Sequence, residues 1–365
     1  MVRLSRGDWV ALGRAAILDL LAEQHAAPLV ELEARICDRS WKDRHNPIDP
    51  HLLTIARKEL LAEGLVDELV ATTRGGGDVA VFHLSPVQRG MARRISDAAA
   101  RKRLLIARWK SWSRGTQHMP NLIGAGGEAV VHQSLLTSAA YGYRVLQPTR
   151  GEVATIYEQP VPGGPLDNAA WLLTMDPRTQ MPGDPYLVPI EVKNVRHTLY
   201  PNHWESYQLL HKAAGLANSH PRYPVLPILI CRKAHYRARQ LAKDLGFLIF
   251  ETHDQYVLPS ERLQLDHVEE VRAELGFADL TVTDQANPRL VDWLSGTVHR
   301  EAPKFATRWM DFGRHHIGIY AALRDERLRW RQRTPWLEAL HAAVEANFDT
   351  AGGWAPSEED EPGLM

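Results

Sequence analysis

Between residue 121 and about residue 259, segments with helical spacing of apolar residues alternate with short β-rich runs. This alternation is typical of an α/β core, in which helices cover a sheet. Helices are predicted over residues 127–140, 204–216 and 234–245. Strands are predicted over residues 143–147, 154–159, 169–175, 187–193, 225–231 and 247–251. The sequence therefore predicts a mixed sheet flanked by helices.

The segment Ile190-Glu191-Val192-Lys193-Asn194 carries charged side chains at alternate positions. Because side chains two apart on a strand share a face, Glu191 and Lys193 are expected to point into one site. Ile190 and Val192 would then pack into the core. An acidic residue two before a lysine is expected about once by chance in a chain with 44 acidic residues, so the context must discriminate.

Three residues outside this strand supply that context. Asp167 precedes a second apolar strand and can present its carboxylate beside Glu191, although a turn residue is the simpler reading of an isolated aspartate. Glu128 is expected on the first turn of a helix that the glycine-rich sequence GAGGE begins. Gln208 lies on the helix that follows Lys193. The long interval between Asp167 and Glu191 suggests an inserted loop near residues 177–185.

Residues 124–257 resemble a PD-(D/E)XK nuclease, of the restriction-endonuclease-like superfamily that also contains Holliday-junction resolvases. The matching motifs occur in the order Glu128, Gly142-Tyr143-Arg144-Val145, Asp167, Glu191-Val192-Lys193 and Gln208. They cover about 130 of the 365 residues, and their specificity comes from order and spacing because each motif is short. The sequence departs from the family pattern at Leu166, which replaces the proline before the aspartate.

The resemblance implies a phosphodiesterase site that uses Mg²⁺ or Mn²⁺. Its metal ligands would be Asp167, Glu191 and the backbone carbonyl of Val192, with Glu128 as a further ligand, direct or through water. Lys193 would orient the attacking water and remain charged beside two carboxylates, and Gln208 would hold the nucleophile, Lys193 or a phosphate in register. The alternative for Glu191 and Lys193 is an exposed salt bridge on a strand.

The N-terminal region resembles a winged-helix domain. Helices are predicted over residues 9–25, 28–37 and 50–63, followed by a hairpin around the glycine-rich turn at residues 74–78. Such a domain binds DNA or serves as a protein–protein module. For DNA binding, the candidate contact residues are His51, Arg57, Lys58 and Arg74.

A basic stretch follows this region, although the net charge of the whole chain is only −1. It is predicted to be a helix over residues 86–113, and its cations either form a solvated face or contact phosphates. We expect phosphate contact from Arg93, Arg94, Arg101, Lys102 and Arg103.

The chain is accordingly divided into five segments. These are a winged-helix domain (1–85), a basic helical linker (86–120), a nuclease domain (121–260), a helical C-terminal region (261–350) and a flexible acidic tail (351–365). The predicted fold class is thus α/β (α+β), with a restriction-endonuclease-like sheet between a winged-helix domain and a helical region.

Other chemistries find less support in the sequence. Cys37 and Cys231 are too few for a disulfide framework or a cysteine zinc site. The histidine pairs His315-His316 and His197/His203 lack cysteine or glutamate partners at zinc-ligand spacing in the sequence. No signal peptide or membrane span is expected, and the cytoplasm is the simplest location.

The sequence leaves three functions open. The first is a DNA endonuclease of restriction, phage defence or repair, which as a homodimer would cut both strands. The second is a DNA-binding regulatory or structural protein with a catalytically silent nuclease fold. The third is a nuclease for branched DNA or RNA. The intact set of Asp167, Glu191 and Lys193 favours an active enzyme.

Overall fold

The protein has a mixed α/β fold, as predicted. The structure is a computed structural model that describes residues 4–38, 48–72, 77–87, 90–115, 120–147, 152–175 and 181–350. It contains two compact units. Of the described residues, the first unit comprises those up to Asn121 and Ser260–Leu280, and the second comprises Leu122–Pro259 and residues 281–350. No helix among the described residues is long and apolar enough to span a membrane.

The first unit combines helices with a small antiparallel sheet. Its elements are α1 (Arg6–Gln24), β1 (Ala27–Pro28), α2 (Leu29–Leu32), α3 (Pro50–Ala62), β2 (Val66–Thr72), β3 (Asp78–Leu84), α4 (Ala92–Arg114) and α8 (Leu265–Leu275). The strand order is β1-β3-β2, and both pairings are antiparallel. Buried residues such as Ile17, Leu53 and Phe82 form the core of this unit.

Two helices of the first unit differ from the predictions. The helix predicted over 28–37 is the single turn α2 followed by a π-helix over Glu33–Asp38. The basic helix begins at Ala92 rather than at Pro86, since the chain up to Leu84 is strand β3. The predicted wing tip (including Arg74) and the acidic tail lie outside the described residues.

The second unit is built on a five-stranded mixed sheet. Its strands are β4 (Tyr143–Leu146), β7 (Asn168–Leu172), β8 (Tyr186–Lys193), β9 (Ile228–Cys231) and β10 (Leu248–Glu251). The order is β10-β9-β8-β7-β4. The three strands β8, β9 and β10 are parallel, whereas β7 pairs antiparallel with both β8 and β4. The central strand β8 therefore has a parallel neighbour on one side and an antiparallel neighbour on the other.

Helices cover both faces of this sheet. One face packs against α6 (Trp204–Ser219), through residues such as Leu187 and Leu210. The other face packs through Val188 and Ile190. The helices on that second face are α5 (Leu122–Thr137), α9 (Pro288–Asp292) and α10 (His299–Asp311). Both faces of β8 are thus buried, which explains its nearly continuous apolar sequence.

The remaining elements of the second unit are short strands and three helices. They are β5 (Thr155–Ile156), β6 (Gln159–Pro160), α7 (Tyr236–Leu245), β11 (Gln255–Val257), α11 (Ile317–Leu323) and α12 (Trp330–Thr350). A short strand, β12 (Leu280–Val282), lies at the boundary between the units. The single strand predicted over 154–159 is the hairpin β5–β6, because Tyr157 and Glu158 at its tip have positive φ values and reverse the chain.

One further prediction for this part of the chain was wrong. Helix α5 begins at Leu122, five residues before the predicted start, so Glu128 does not lie on the first turn. Residues of the predicted helical C-terminal region (261–350) fall in both units, since Ser260–Leu280 belongs to the first unit and the chain from Thr281 belongs to the second. Apolar residues of α11 and α12, including Tyr320 and Leu340, pack into the same core as α6.

Candidate active site

The start of β7 and the end of β8 bring the predicted acidic residues together. Asn168 of β7 pairs with Ile190 of β8, which places Asp167 beside Glu191. The backbone N–H of Val192 donates to Asp167 Oδ2 at 2.7 Å. Glu191 is 3% exposed, so its carboxylate lies inside the protein. The two carboxylates therefore meet at neighbouring strand ends, as the resemblance implies.

Lysines from β8 and α6 neutralise Glu191. Lys193 Nζ donates to Glu191 Oε1, and Lys212 Nζ donates to Glu191 Oε2, both at 2.9 Å. Lys193 also donates to Gln208 Oε1 at 2.6 Å. Gln208 and Lys212 lie one helical turn apart on α6 and face the same strand. Of the partners predicted for Gln208, the structure shows contact with Lys193.

The charges of these groups depend on one another. Burial opposes ionisation of Glu191, but the ammonium groups of Lys193 and Lys212 hold its pKa below the ordinary value. Burial likewise disfavours the charged form of Lys193, yet Glu191 and Asp167 raise its pKa above the ordinary value. Lys193 is therefore a cation at neutral pH, which is the state that contact with a phosphate requires.

Two other carboxylates lack such neutralisation. Burial and the nearby Glu191 raise the pKa of Asp167 to about 7, although Lys193 and the Val192 N–H oppose this shift. Burial, followed by the charge of Glu152, raises the pKa of Glu128. A raised pKa marks a carboxylate whose negative charge is poorly compensated. Burial is the largest cause of both shifts, and repulsion by neighbouring carboxylates adds to it.

Glu128 lies close to this pair on another element. It lies on the second turn of α5, and the charges of Lys193 and Glu191 both shift its pKa. Asn168 Nδ2 donates to the Glu128 carbonyl at 3.3 Å, and the Asn168 amide also contacts His132 Nδ1 at 3.1 Å. These contacts fix α5 against the start of β7, next to Asp167.

A cleft of about 730 Å³ opens over the site. Its wall on the sheet side contains Asp167, Glu191, Lys193, Gln208 and Lys212. A second wall comes from residues 324–327, at the end of α11. Arg324 on this wall donates to the Gly163 carbonyl at 3.0 Å and contacts His211 at 2.9 Å. A substrate that enters this cleft meets four lysine and arginine side chains beside the carboxylates, namely Lys193, Lys212, Arg324 and Arg327.

The sequence analysis missed Lys212 and Arg324. Lys212 is 8% exposed, and its four-residue separation from Gln208 on a predicted helix could have identified it. Arg324 belongs to the region beyond the predicted nuclease domain, where no motif pointed to the site.

A separate group of possible metal ligands lies at the start of α6. Potential ligand atoms of His197, His203 and Glu205 all lie within 4.8 Å of one another, the only such group of three found in the described part of the chain. This corrects the prediction that His197 and His203 lack a glutamate partner. The sequence hides the relation because the chain turns between Tyr200 and His203, where the His203 N–H donates to the Tyr200 carbonyl.

The predicted metal ligands are less tightly grouped. Asp167, Glu191 and Glu128 do not form a group with all three ligand atoms within 4.8 Å among the described residues. Asp167 and Glu191 nevertheless lie side by side at the strand ends.

The basic helix α4 does not present its cations as predicted. Lys102 is 4% exposed and donates to Glu31 at 2.7 Å, so it cannot contact a phosphate. Arg101 pairs with Glu274, and Arg103 donates to the Leu69 carbonyl. In contrast, Arg93 and Arg94 are exposed. Internal acidic and carbonyl groups thus satisfy the second half of the basic stretch.

The predicted DNA contacts of α3 are also unequal. His51 and Lys58 are exposed. Arg57 is partly buried, and its guanidinium lies 4.8 Å from the centroid of the Phe82 ring. A cation–π contact of this kind fixes the side chain against the sheet. His51 and Lys58 are therefore the candidates on α3 that remain accessible.

The chain matches no family model, no curated protein and no solved structure.

Proposed function

We propose that this protein is a metal-dependent nuclease that hydrolyses phosphodiester bonds in DNA. Its second unit would be a restriction-endonuclease-like domain, and its first unit would be a winged-helix domain. The observation that carries the proposal is the convergence of Asp167, Glu191 and Lys193 at the adjoining ends of β7 and β8. Two carboxylates and a lysine in one cleft are the groups that phosphodiester hydrolysis with a hard cation requires.

The donor set suits Mg²⁺ or Mn²⁺. Hard divalent cations prefer carboxylate and carbonyl oxygens, which Asp167, Glu191 and the Val192 carbonyl would supply. The raised pKa values of Asp167 and Glu128 indicate excess negative charge, which a divalent cation removes. Both Glu191 oxygens accept hydrogen bonds from lysines, but each carboxylate oxygen has a second lone pair for a cation.

The side chains of the cleft would divide the work between them. A bound cation would polarise the scissile phosphate and lower the pKa of a water molecule. Lys193 would stabilise the negative charge that develops on the phosphate, because it is charged and Gln208 restrains it. Lys212 keeps Glu191 ionised and in place, and is a positioning residue.

The first unit supports DNA as the substrate. Its helices α1, α2 and α3, followed by the hairpin β2–β3, occur in the order of a winged-helix domain. His51 and Lys58 are exposed on α3, the helix that would enter the major groove. A module of this kind, joined to a nuclease, would select a DNA site for restriction, phage defence or repair.

The decisive experiment compares cleavage by the wild type and by Lys193→Ala. Plasmid, linear and branched DNA, and RNA, are incubated with Mg²⁺, with Mn²⁺ and with EDTA. We expect metal-dependent cleavage of DNA by the wild type, and a loss of at least about 10²-fold in the variant, the scale for removing one transition-state donor. Binding of DNA, measured by gel shift with Ca²⁺ in place of Mg²⁺, should persist.

The matched control is Lys304→Ala, which removes an exposed lysine of α10. Lys304→Ala should cleave DNA at the same rate as the wild type. Cleavage in EDTA, or equal cleavage by Lys193→Ala and the wild type, would exclude the proposed mechanism. DNA binding without any cleavage would instead support the regulatory protein with a silent nuclease fold. Preferential cleavage of branched DNA or RNA would identify the third function.

A further inference from the structure

We propose that His197, His203 and Glu205 form a second metal site, which binds a divalent transition-metal ion such as Zn²⁺. The site is distinct from the carboxylate site of the proposed nuclease and does not depend on that function. The three side chains come from the segment between β8 and α6 and from the first turn of α6. Their potential ligand atoms lie within 4.8 Å of one another.

The donor spacing approaches what a tetrahedral ion needs. With metal–ligand distances of about 2.0–2.2 Å, two ligand atoms of a tetrahedral site lie roughly 3.4 Å apart. The distance from His197 Nε2 to Glu205 Oε1 is 3.3 Å. The rings of His197 and His203 are roughly perpendicular, with centroids 4.9 Å apart, so that neither ring blocks the other. Small rotations of His203 would complete the set.

The donor types select the class of ion. Two imidazoles and one carboxylate suit Zn²⁺ and other first-row transition metals, whereas Mg²⁺ and Ca²⁺ prefer oxygen ligands alone. Three protein ligands also leave one position for water. His203 Nδ1 is buried and has no hydrogen-bond partner, and an unpaired buried nitrogen is costly unless it finds a ligand or water.

The backbone already holds the segment that carries the ligands. The Leu199 N–H donates to the Lys233 carbonyl, and the His235 N–H donates to the Leu199 carbonyl, both within 3 Å. The turn from Tyr200 to His203 is closed by a backbone hydrogen bond, and α6 begins at Trp204. A preformed segment of this kind loses little conformational entropy when it binds a metal.

The position of the site suggests its effect. Glu205 lies close enough to Lys193 for its charge to stabilise the ammonium group, and the neighbouring Trp204 lines the cleft. Gln208 follows Glu205 by three residues on the same helix. An ion at this site would therefore fix the start of α6, which carries Gln208 toward Lys193.

The test is a titration of the full-length protein with Zn²⁺ by isothermal titration calorimetry. Millimolar Mg²⁺ in the buffer would compete with Zn²⁺ for the proposed carboxylate site. We expect one Zn²⁺ per chain, with affinity at least tenfold weaker in His197→Ala, His203→Ala and Glu205→Gln. Zn²⁺ should also raise the melting temperature of the wild type, because it binds only the folded state, and should have less effect on these variants.

Two controls separate this site from other ligands. Asp167→Asn alters the carboxylate site, and His341→Ala removes an exposed histidine of α12. Both should bind Zn²⁺ like the wild type. No Zn²⁺ binding by the wild type at tens of micromolar metal, or unchanged binding by Glu205→Gln and His197→Ala, overturns the proposal. The same holds if Asp167→Asn alone abolishes binding. None of these readouts requires nuclease activity.

The choice of variants guards against misfolding. His197 is exposed over 46% of its side chain, and glutamine closely matches the shape of glutamate at residue 205. Each variant is first melted in EDTA, and a melting temperature equal to that of the wild type indicates an intact fold. If His203→Ala fails to fold, His197→Ala and Glu205→Gln still decide the result.

Discussion

Among single residues, the carboxylates of the cleft differ in how far nearby cations compensate their negative charge. Glu191 has a lysine at each oxygen, and its pKa is low. Asp167 accepts a hydrogen bond from the Val192 N–H, and its pKa is raised to about 7, first by burial. The pKa values of the two carboxylates differ because Lys193 and Lys212 both donate hydrogen bonds to Glu191.

The raised pKa of Asp167 predicts a pH-dependent gain in stability when its charge is removed. In the metal-free protein, the contribution of Asp167 to stability is present below pH 4 and is lost as the pH rises through 7. Asp167→Asn, measured in EDTA, should therefore be more stable than the wild type at pH 8, by a few kcal/mol at most, since one pKa unit corresponds to ~1.4 kcal/mol.

Urea unfolding at pH 8 and at pH 4 measures this effect. The difference between the two proteins should disappear at pH 4, where the wild-type Asp167 is protonated in the folded state. Glu261→Gln, at an exposed carboxylate, serves as the control and should differ little from the wild type at either pH. A variant less stable than the wild type at pH 8 would contradict the crowding of negative charge around Asp167.

Substitution of Lys212 should have the opposite effect on stability, because its ammonium group compensates the buried charge of Glu191. Lys212→Met leaves Glu191 with Lys193 alone, and we expect a loss of roughly 1–3 kcal/mol of stability, the range for hydrogen bonds to charged groups. Folded Glu191 has a depressed pKa, so this loss should shrink as the pH falls below the ordinary range of a carboxyl group. Cleavage should fall at least tenfold.

Thermal and urea unfolding, together with the cleavage assay, measure both effects of the Lys212 substitution. Lys243→Met, at an exposed lysine of α7, is the matched control for loss of a positive charge. Equal stability of Lys212→Met and Lys243→Met would mean that Lys212 does not stabilise Glu191.

Among the elements, α5 begins earlier than predicted because its glycines were interpreted as a loop that precedes the helix. A Cβ at Gly126 would lie 2.6 Å from the Leu258 nitrogen, and one at Gly127 would lie 2.7 Å from the Asn194 Cβ. These glycines therefore permit close packing of a helix, rather than marking a loop before it. Asn194, next to Lys193, donates to the Ile123 and Tyr256 carbonyls and ties α5 to the end of β8.

Gly126→Ala should thus destabilise the protein despite the higher helix propensity of alanine. The propensity gain is about 1 kcal/mol, whereas forcing atoms into a packed contact typically costs about 1–3 kcal/mol and here displaces backbone. The control is Gly296→Ala, in the helical segment between α9 and α10, where a Cβ meets nothing within 4 Å. That variant should be neutral or more stable. Equal melting temperatures for the two variants would contradict the packing explanation.

The sequence predicted those parts of the fold that periodicity determines. The alternation of apolar residues located β8 and placed Glu191 and Lys193 on one face, and spacing along α6 located Gln208. Features that depend on distant contacts were not predictable. The His203 side chain approaches His197 only after a turn, and Glu274, which pairs with Arg101, lies 173 residues further along the chain. Local sequence patterns do not indicate contacts between residues that are far apart along the chain.

At the scale of the whole molecule, the charge distribution matters more than the net charge of −1. The basic stretch of α4 is continuous in the sequence. In the first unit its cations nevertheless form two groups, an exposed one at the start of the helix and a paired one further along. Lys102 and Arg101 are held by Glu31 and Glu274. Arg93 is exposed over 92% of its side chain and lies 3.8 Å from Asp97, a distance at which a surface pair contributes little. Of the α4 cations predicted to contact phosphates, Arg93 and Arg94 are exposed, whereas Lys102 is buried.

The double substitution Arg93→Ala/Arg94→Ala should therefore weaken DNA binding in a salt-dependent way. Each phosphate contact contributes about 0.9 to the slope of log affinity against log salt concentration, so removing two should reduce the slope by up to about 2. Fluorescence anisotropy with a labelled duplex, between 50 and 200 mM salt, measures this slope. Arg101→Ala is the matched control. Because Arg101 is bound to Glu274, its loss should leave the slope unchanged and affect mainly thermal stability. A smaller slope in Arg101→Ala than in the double variant would mean that α4 contacts DNA through its other half.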